Sequence, residues 1–408
     1  MLLALACLAL AADPKPAPGG LVFVAHSTAP DVQVGSVAQL DPTFAVTLAE
    51  PAGSVAAGAL VSLRRADRPR PAHPAGPHVR LANGDVLRLD SVSGGDARTA
   101  KLAVGLGRAK LLTVLSVPLT ALSAVWFVDP PADAPPDPAR YSWVDATKKQ
   151  DTLLLRNGDV VRGTFERVSD TGSAVLFKPA GEKAARGYEL PTLAALALDP
   201  SLALVKRPKG AFARVTFTDG SRVSCTDVAS DGGKFTASAV TGGRVEVPLA
   251  DVIAVDVMQG KAAYLSDLKP KAAKVEPFGA VAWPWAADRS AKGNRLRLKT
   301  VLGEETFDKG LGLHSKTTLT YDLGGKYRRF ETTVGLDAAT GRKGAVDVRV
   351  LVDGKEQAID GLTGLTAAGV RVLGVDVTKA KELTLIVDFG PGGDVQDDVN
   401  LVDARLVE

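Results

Sequence analysis

Two tryptophans separated by one proline, Trp283-Pro284-Trp285, draw attention in a chain whose aromatic residues make up only 5%. An indole face is a broad apolar surface, and the polarised C–H groups of a pyranose pack well against it; the plainer alternative is a pair of plugs buried at a sheet edge. His314 closes the run Gly310-Leu311-Gly312-Leu313-His314. In a strand its neighbour Leu313 faces the other way, so His314 either bonds a sugar hydroxyl or satisfies a carbonyl of the core. Asp337 and the cluster Asp394, Asp397 and Asp398 offer hard oxygens of the kind a calcium ion takes, or else form a solvated loop.

Other chemistries leave no trace in the sequence. It holds no glycine-rich phosphate loop, no Cys and His set at metal spacing, and no nucleophile elbow. His26, His73, His78 and His314 are scattered. Glycoside hydrolysis needs paired carboxylates about 5 to 10 Å apart in a cleft, and no segment is patterned for a catalytic barrel. The residue types predict binding rather than catalysis, with no cofactor required and calcium as an option. A net charge of +3, from 49 basic and 46 acidic side chains, is too balanced to favour nucleic acid or an anionic membrane.

The surrounding elements read as strands throughout. Apolar residues make up 46%, mainly Ala, Val and Leu, and 41 Gly and 25 Pro supply turns between valine-rich runs. Residues 1–12 are almost wholly apolar and end in Ala9-Leu10-Ala11-Ala12, which reads as a secretory signal peptide lacking the usual leading Lys or Arg. No other run approaches the roughly 20 apolar residues of a membrane helix. The expected location is secreted, or periplasmic and cell-envelope. Without the leader Cys225 is the sole thiol, so no intrachain disulfide is expected.

Three related units follow one another. Leu81-Ala82-Asn83-Gly84-Asp85-Val86, Leu155-Arg156-Asn157-Gly158-Asp159-Val160 and Phe217-Thr218-Asp219-Gly220-Ser221-Arg222 each open a unit with a tight hairpin turn. The units close with Val117-Pro118-Leu119, Leu190-Pro191 and Val247-Pro248-Leu249, each followed by an apolar run. The boundaries read from this pattern are 78–128, 151–200 and 211–260, with residues 20–66 as a degenerate first copy and residues 129–150 as a proline-rich linker. Small barrels resembling SH3 or Sm folds are expected, serving as spacers or interaction modules. Proline clusters at residues 68–74 and 269–277 also read as linkers.

Residues 264–408 alternate with period two over longer strands, among them residues 317–323, 329–334, 346–352 and 382–388. That pattern predicts a β-sandwich with polar outer faces. The ordered string Lys309-Gly310-Leu311-Gly312-Leu313-His314-Ser315, Tyr321-Asp322-Leu323, Val334-Gly335-Leu336-Asp337, Asp353-Gly354-Lys355 and Asp403-Ala404 resembles the NPCBM/NEW2 family, also described as carbohydrate-binding module family 51. The resemblance implies a galactose-binding-like jelly roll and recognition of galactose-containing glycans. One stretch departs from the family pattern: where the family resembles Asp-His-Ala-Asp-Trp-Ala-Asp-Ala, this chain has Asp397-Asp398-Val399-Asn400-Leu401-Val402-Asp403-Ala404. The expectation is an all-β, exported, non-catalytic protein binding a glycan or cell-surface polysaccharide, with Trp283, Trp285, His314, Asp337 and Asp398 as candidate contacts. The rival reading is a scaffold of the cell envelope, with envelope proteins as partners, whose sandwich no longer binds sugar.

Overall fold

A computed structural model describes residues 20–94, 99–106, 112–128, 149–205, 207–279 and 281–408. The leader and most of the proline-rich stretch 129–150 lie outside the described residues. Every regular element among the described residues is a strand or a one-turn 3-10 helix, so the fold is all-β as expected.

Residues 22–65, 78–126, 151–197 and 212–258 form four strand units built to one plan. In each, the first strand pairs with the last, as Val22–Ser27 does with Leu60–Arg65 and Phe212–Phe217 with Val252–Met258. In the last three units a 3-10 turn, such as Leu249–Asp251, precedes the final strand. The hairpin turns repeat bond for bond: the amides of Gly84, Gly158 and Gly220 donate to the carbonyls of Leu81, Leu155 and Phe217. Those glycines hold φ of 88°, 91° and 89°, where a side chain is strained, which is why the turns carry Asn-Gly or Asp-Gly. In the second unit the second strand is broken into Val86–Arg88 and Ser91–Gly94.

The units join through their final strands. Leu60–Arg65 pairs with Val252–Met258, uniting the first unit with the fourth, and Leu122–Trp126 pairs with Leu193–Ala197, uniting the second with the third. Pairing covers edges that would otherwise expose unbonded N–H and C=O groups. A single apolar cluster, from Phe23 through Leu102 and Phe177 to Val257, runs through all four units.

The C-terminal region is a two-sheet sandwich. One sheet runs Ala286–Ala287, Gly310–His314, Asp398–Val407, Arg329–Leu336, Arg371–Asp376, with Ala262–Tyr264 added on the far end of Asp398–Val407. The other runs Ala272–Val275, Thr317–Asp322, Glu382–Phe389, Ala345–Val352, Lys355–Glu356. Phe330, Val334 and Leu401 from the first sheet meet Leu319, Leu385 and Val350 from the second, all fully buried. The proline-flanked stretch 269–277 is therefore not a linker. Its residues Ala272–Val275 form an edge strand of the sandwich, where exposed Lys271 and Lys274 suit an edge.

Residues 68–74 are not a free linker either, because they wedge between the first and fourth units and the sandwich. Arg70, 3% exposed, reaches Asp256 of the fourth unit at 3.0 Å and Asp403 of the sandwich at 3.4 Å. Its backbone amide donates to Glu305 and its carbonyl accepts from Thr306. Arg64 pairs with Glu305. Asp308 receives Arg222 at 2.9 Å and His73 at 2.7 Å, and Arg405 reaches Ser62 while pairing with Glu331. Buried charges of this kind are stabilising only while each partner is in place. Arg70→Ala should therefore lower the unfolding free energy by about 3 to 5 kcal/mol, read from urea unfolding; an effect within experimental error would show that the network is idle.

Burial and the nearby Arg405 guanidinium hold the half-buried His26 imidazole down to about 4 from 6.5. A base depressed in this way favours the folded state fully above pH 6.5 and progressively less as pH falls towards 4. Unfolding midpoints across that range should fall more steeply for the wild type than for His26→Gln, and parallel profiles would contradict the assignment.

Candidate functional site

The sandwich carries an open cleft of about 700 Å³ at one end of its first sheet. Its floor is the point where Gly310–His314 and Asp398–Val407 run side by side, His314 opposite Asp398. Alternation places Leu313, Val399 and Leu401 in the core, so His314 and Asp398 take the outer face. Trp283, Lys292, Arg342 and Asp394 are among the residues of its walls.

Two glycines allow the walls to close in. A Cβ on Gly312 would lie 2.2 Å from the carbonyl oxygen of Arg289, so only glycine lets the turn carrying Lys292 rest on the strand. A Cβ on Gly344 would lie 2.2 Å from the carbonyl oxygen of Gln396, and the Lys343 amide donates to the Gln396 side chain beside it. Lys309 fixes the approach of the Trp283 loop by bridging Asp267 at 2.6 Å and Asp288 at 2.7 Å, while the Gly310 amide donates to Asp288.

The polar groups divide into those already engaged and those left open. Asp397 accepts from the Ser315 hydroxyl and the Ala345 amide, and burial raises its pKa. Asp337 accepts from the amides of Ala339 and Thr340 and from the Asn400 side chain at 2.7 Å. His314 donates through Nδ1 to the Ser315 carbonyl at 2.9 Å, leaving Nε2 as the acceptor of the neutral ring. Asp398 differs from its neighbours. It is 1% exposed, and among the described residues neither carboxylate oxygen has a hydrogen-bond partner. The nearest cation, Lys292, is 3.8 Å away, and its ammonium lies 2.8 Å from the centroid of the Trp283 ring. Burial lowers the Lys292 pKa. The Trp283 and His314 rings are 6.0 Å apart and tilted by 38°.

Of the five residues singled out from sequence, the structure brings Trp283, His314 and Asp398 into the cleft. Trp285 does not join them but packs half-buried against the sandwich core. Asp337 lies beneath the wall, ordering residues 339 and 340, rather than open to the cleft. Among the described residues no three His, Cys, Asp or Glu side chains converge as a metal site, and the oxygens of Asp337 and Asp397 are engaged by protein donors. Sequence reasoning missed Lys292, which sits in a polar turn, Ser290-Ala291-Lys292-Gly293-Asn294, that reads like any surface loop. Arg342 was missed for the same reason.

The cleft thus combines an indole, a buried acceptor pair and flanking donors on the outer face of a jelly-roll sheet, a construction suited to holding a polyhydroxylated ligand. Residues 261–407 match the family model described as NPCBM/NEW2 domain. The C-terminal third of the chain is an NPCBM/NEW2 domain, a carbohydrate-binding-module-like domain, as the motifs at Lys309 onward suggested. No curated protein matches the chain. Among solved structures, CBM51 from Clostridium perfringens GH95 in complex with methyl-galactose is 27% identical, over 36% of this chain and 99% of that one, with a TM-score of 0.33. The CBM51-2 and INT domains of Clostridium perfringens ZmpB are 30% identical over 43% of this chain, which spans 37% of that structure, also at 0.33. The tandem CBM51 modules of the Streptococcus pneumoniae family 98 glycoside hydrolase Sp3GH98 are 15% identical over 67% of this chain and 92% of theirs, with the same TM-score of 0.33.

Gly312→Ala should force the Lys292 turn off the strand, costing about 1 to 3 kcal/mol through overpacking. Trp283 should then change its environment, seen as an emission shift that is absent when Trp283 is already Phe. Unchanged emission with unchanged stability would mean the turn does not rest on Gly312.

Proposed function

We propose that the protein is an exported, non-catalytic glycan-binding protein whose cleft at Trp283, His314 and Asp398 holds the sugar. The observation that carries this reading is the Asp398 carboxylate, buried at 1% exposure with neither oxygen hydrogen-bonded among the described residues. A buried acceptor without donors is costly, by about 1 to 3 kcal/mol and more when charged. Adjacent hydroxyls of a pyranose supply two O–H donors at the spacing of one carboxylate. Nε2 of His314 accepts a further hydroxyl, and the Trp283 indole offers a face for the ring once Lys292 moves aside. This reading calls for no metal. The family resemblance makes galactose the first sugar to try, and a shallow, open cleft suits weak affinity per module.

Export is part of the proposal and accords with the apolar leader; among the described residues no helix is long and apolar enough to cross a membrane. The four N-terminal units would hold the sugar-binding face at a fixed distance from a partner or an anchor in the envelope. Retention of the full chain on immobilised galactosides should be clear and should fall at least about tenfold for Trp283→Ala, in line with the loss of an aromatic anchor. Equal retention of wild type and variant would place the sugar elsewhere, and no retention on any glycan would favour the scaffold reading. Release of free sugar during the incubation would overturn the non-catalytic part.

A further inference from the structure

The stacking face of the cleft already has an occupant from the protein itself. Lys292 projects from a turn closed by the bonds Gly293 N–H to Ser290 O and Ser290 N–H to Asn294 O, each 2.8 Å. Its ammonium lies against the Trp283 indole and 3.8 Å from Asp398 Oδ1. Neither contact is a hydrogen bond, so among the described residues the lysine is held by the π face and by charge. The features that welcome a cation belong to the sandwich rather than to the turn: a buried carboxylate with two open oxygens, and an indole beside it.

A neutral sugar entering here must expel an ammonium from the indole and leave the Asp398 charge to hydroxyls alone. A sugar bearing a protonated amine replaces Lys292 like for like. It also makes the direct, charge-assisted hydrogen bonds to Asp398 that Lys292 at 3.8 Å does not make. Opposing charges nearby do not reverse this preference. Arg342 and Lys343 are exposed on the rim, where water screens them, and Asp394 shares the cleft as a second anion. Asp398 acts from a nearly dry position, where charge is felt more strongly.

We propose that the cleft selects glycans carrying a free primary amino group, which displaces Lys292 from between Trp283 and Asp398. The proposal rests on the glycan-binding reading and narrows it. Lys292 then acts as a built-in competitor that keeps neutral sugars weak.

The test is to titrate the full chain with galactosamine, N-acetylgalactosamine and methyl galactoside near neutral pH, following binding by NMR or calorimetry. Galactosamine should bind about tenfold or more tightly than the other two. Lys292→Met should tighten galactosamine binding about threefold or more by removing the competitor, and Asp398→Asn should bring the three sugars level. Because Asp398→Asn alters a buried position, its thermal midpoint is measured alongside; should it fail to fold, Lys292→Met in its surface turn carries the test. Equal affinity for the three sugars, or weaker galactosamine binding by Lys292→Met, would overturn the selectivity while leaving glycan binding intact. Binding of none of the sugars by wild type or Lys292→Met would remove both readings together.

Discussion

The ten-residue strand Asp398–Val407 is the constraint on which the rest of the structure depends. It pairs with Gly310–His314 on one side and Arg329–Leu336 on the other, and Ala262–Tyr264 joins its far end. A strict two-residue alternation would send Leu401 inward and Ala404 outward. Asp403 prevents that with a φ of 50° and one extra residue opposite Thr332, a β-bulge that resets the phase. Val399, Leu401, Ala404 and Leu406 all reach the core as a result, while Asp398, Asn400, Asp403 and Arg405 keep to the outer face.

Those outward residues serve two purposes at opposite ends of one strand. Asp398 opens into the cleft, while Asp403 pairs with Arg70, which also reaches Asp256 of the fourth unit, and Arg405 donates to Ser62 of the first. At about 3.3 Å per residue the two ends lie roughly 20 Å apart. The cleft and the docked face are therefore fixed relative to each other by a single rigid element. A cleft held this way is oriented by the N-terminal units rather than swung on a tether. The contact is rich in charge and buried arginine, with Arg64 and Arg70 both over the Phe307 ring, which favours one geometry over sliding.

Much of this was legible in the sequence, and the reason is periodicity. Hairpin turns at Asn83-Gly84, Asn157-Gly158 and Asp219-Gly220 advertise φ values that only glycine holds easily, and alternation through residues 317–323 and 382–388 reports a half-buried sheet. Gly310 and Gly312 marked the family because the backbone there admits no side chain: a Cβ would lie 2.4 Å from Leu401 O and 2.2 Å from Arg289 O. Features set by tertiary contact left no local mark. The proline-bearing stretch at Arg70 looks like a linker because burying an arginine depends on acids at Asp256 and Asp403, far off in sequence. Lys292 looks like solvent-facing turn because the indole it covers is supplied by another loop. Trp283 and Trp285 share a residue type and a spacing of two, yet one lines the cleft and the other joins the core; only the path of the chain around Pro284 separates them.

The proposed ligand site is the cleft at the Asp398 end of this strand. The most direct measurement is a crystal structure of the full chain with a bound galactoside or galactosamine. Density for the sugar is expected against Trp283, with a ligand donor within hydrogen-bonding distance of Asp398 and Lys292 withdrawn from the indole. Ligand density on another surface, with Lys292 still over Trp283 and Asp398 still without a donor, would contradict it.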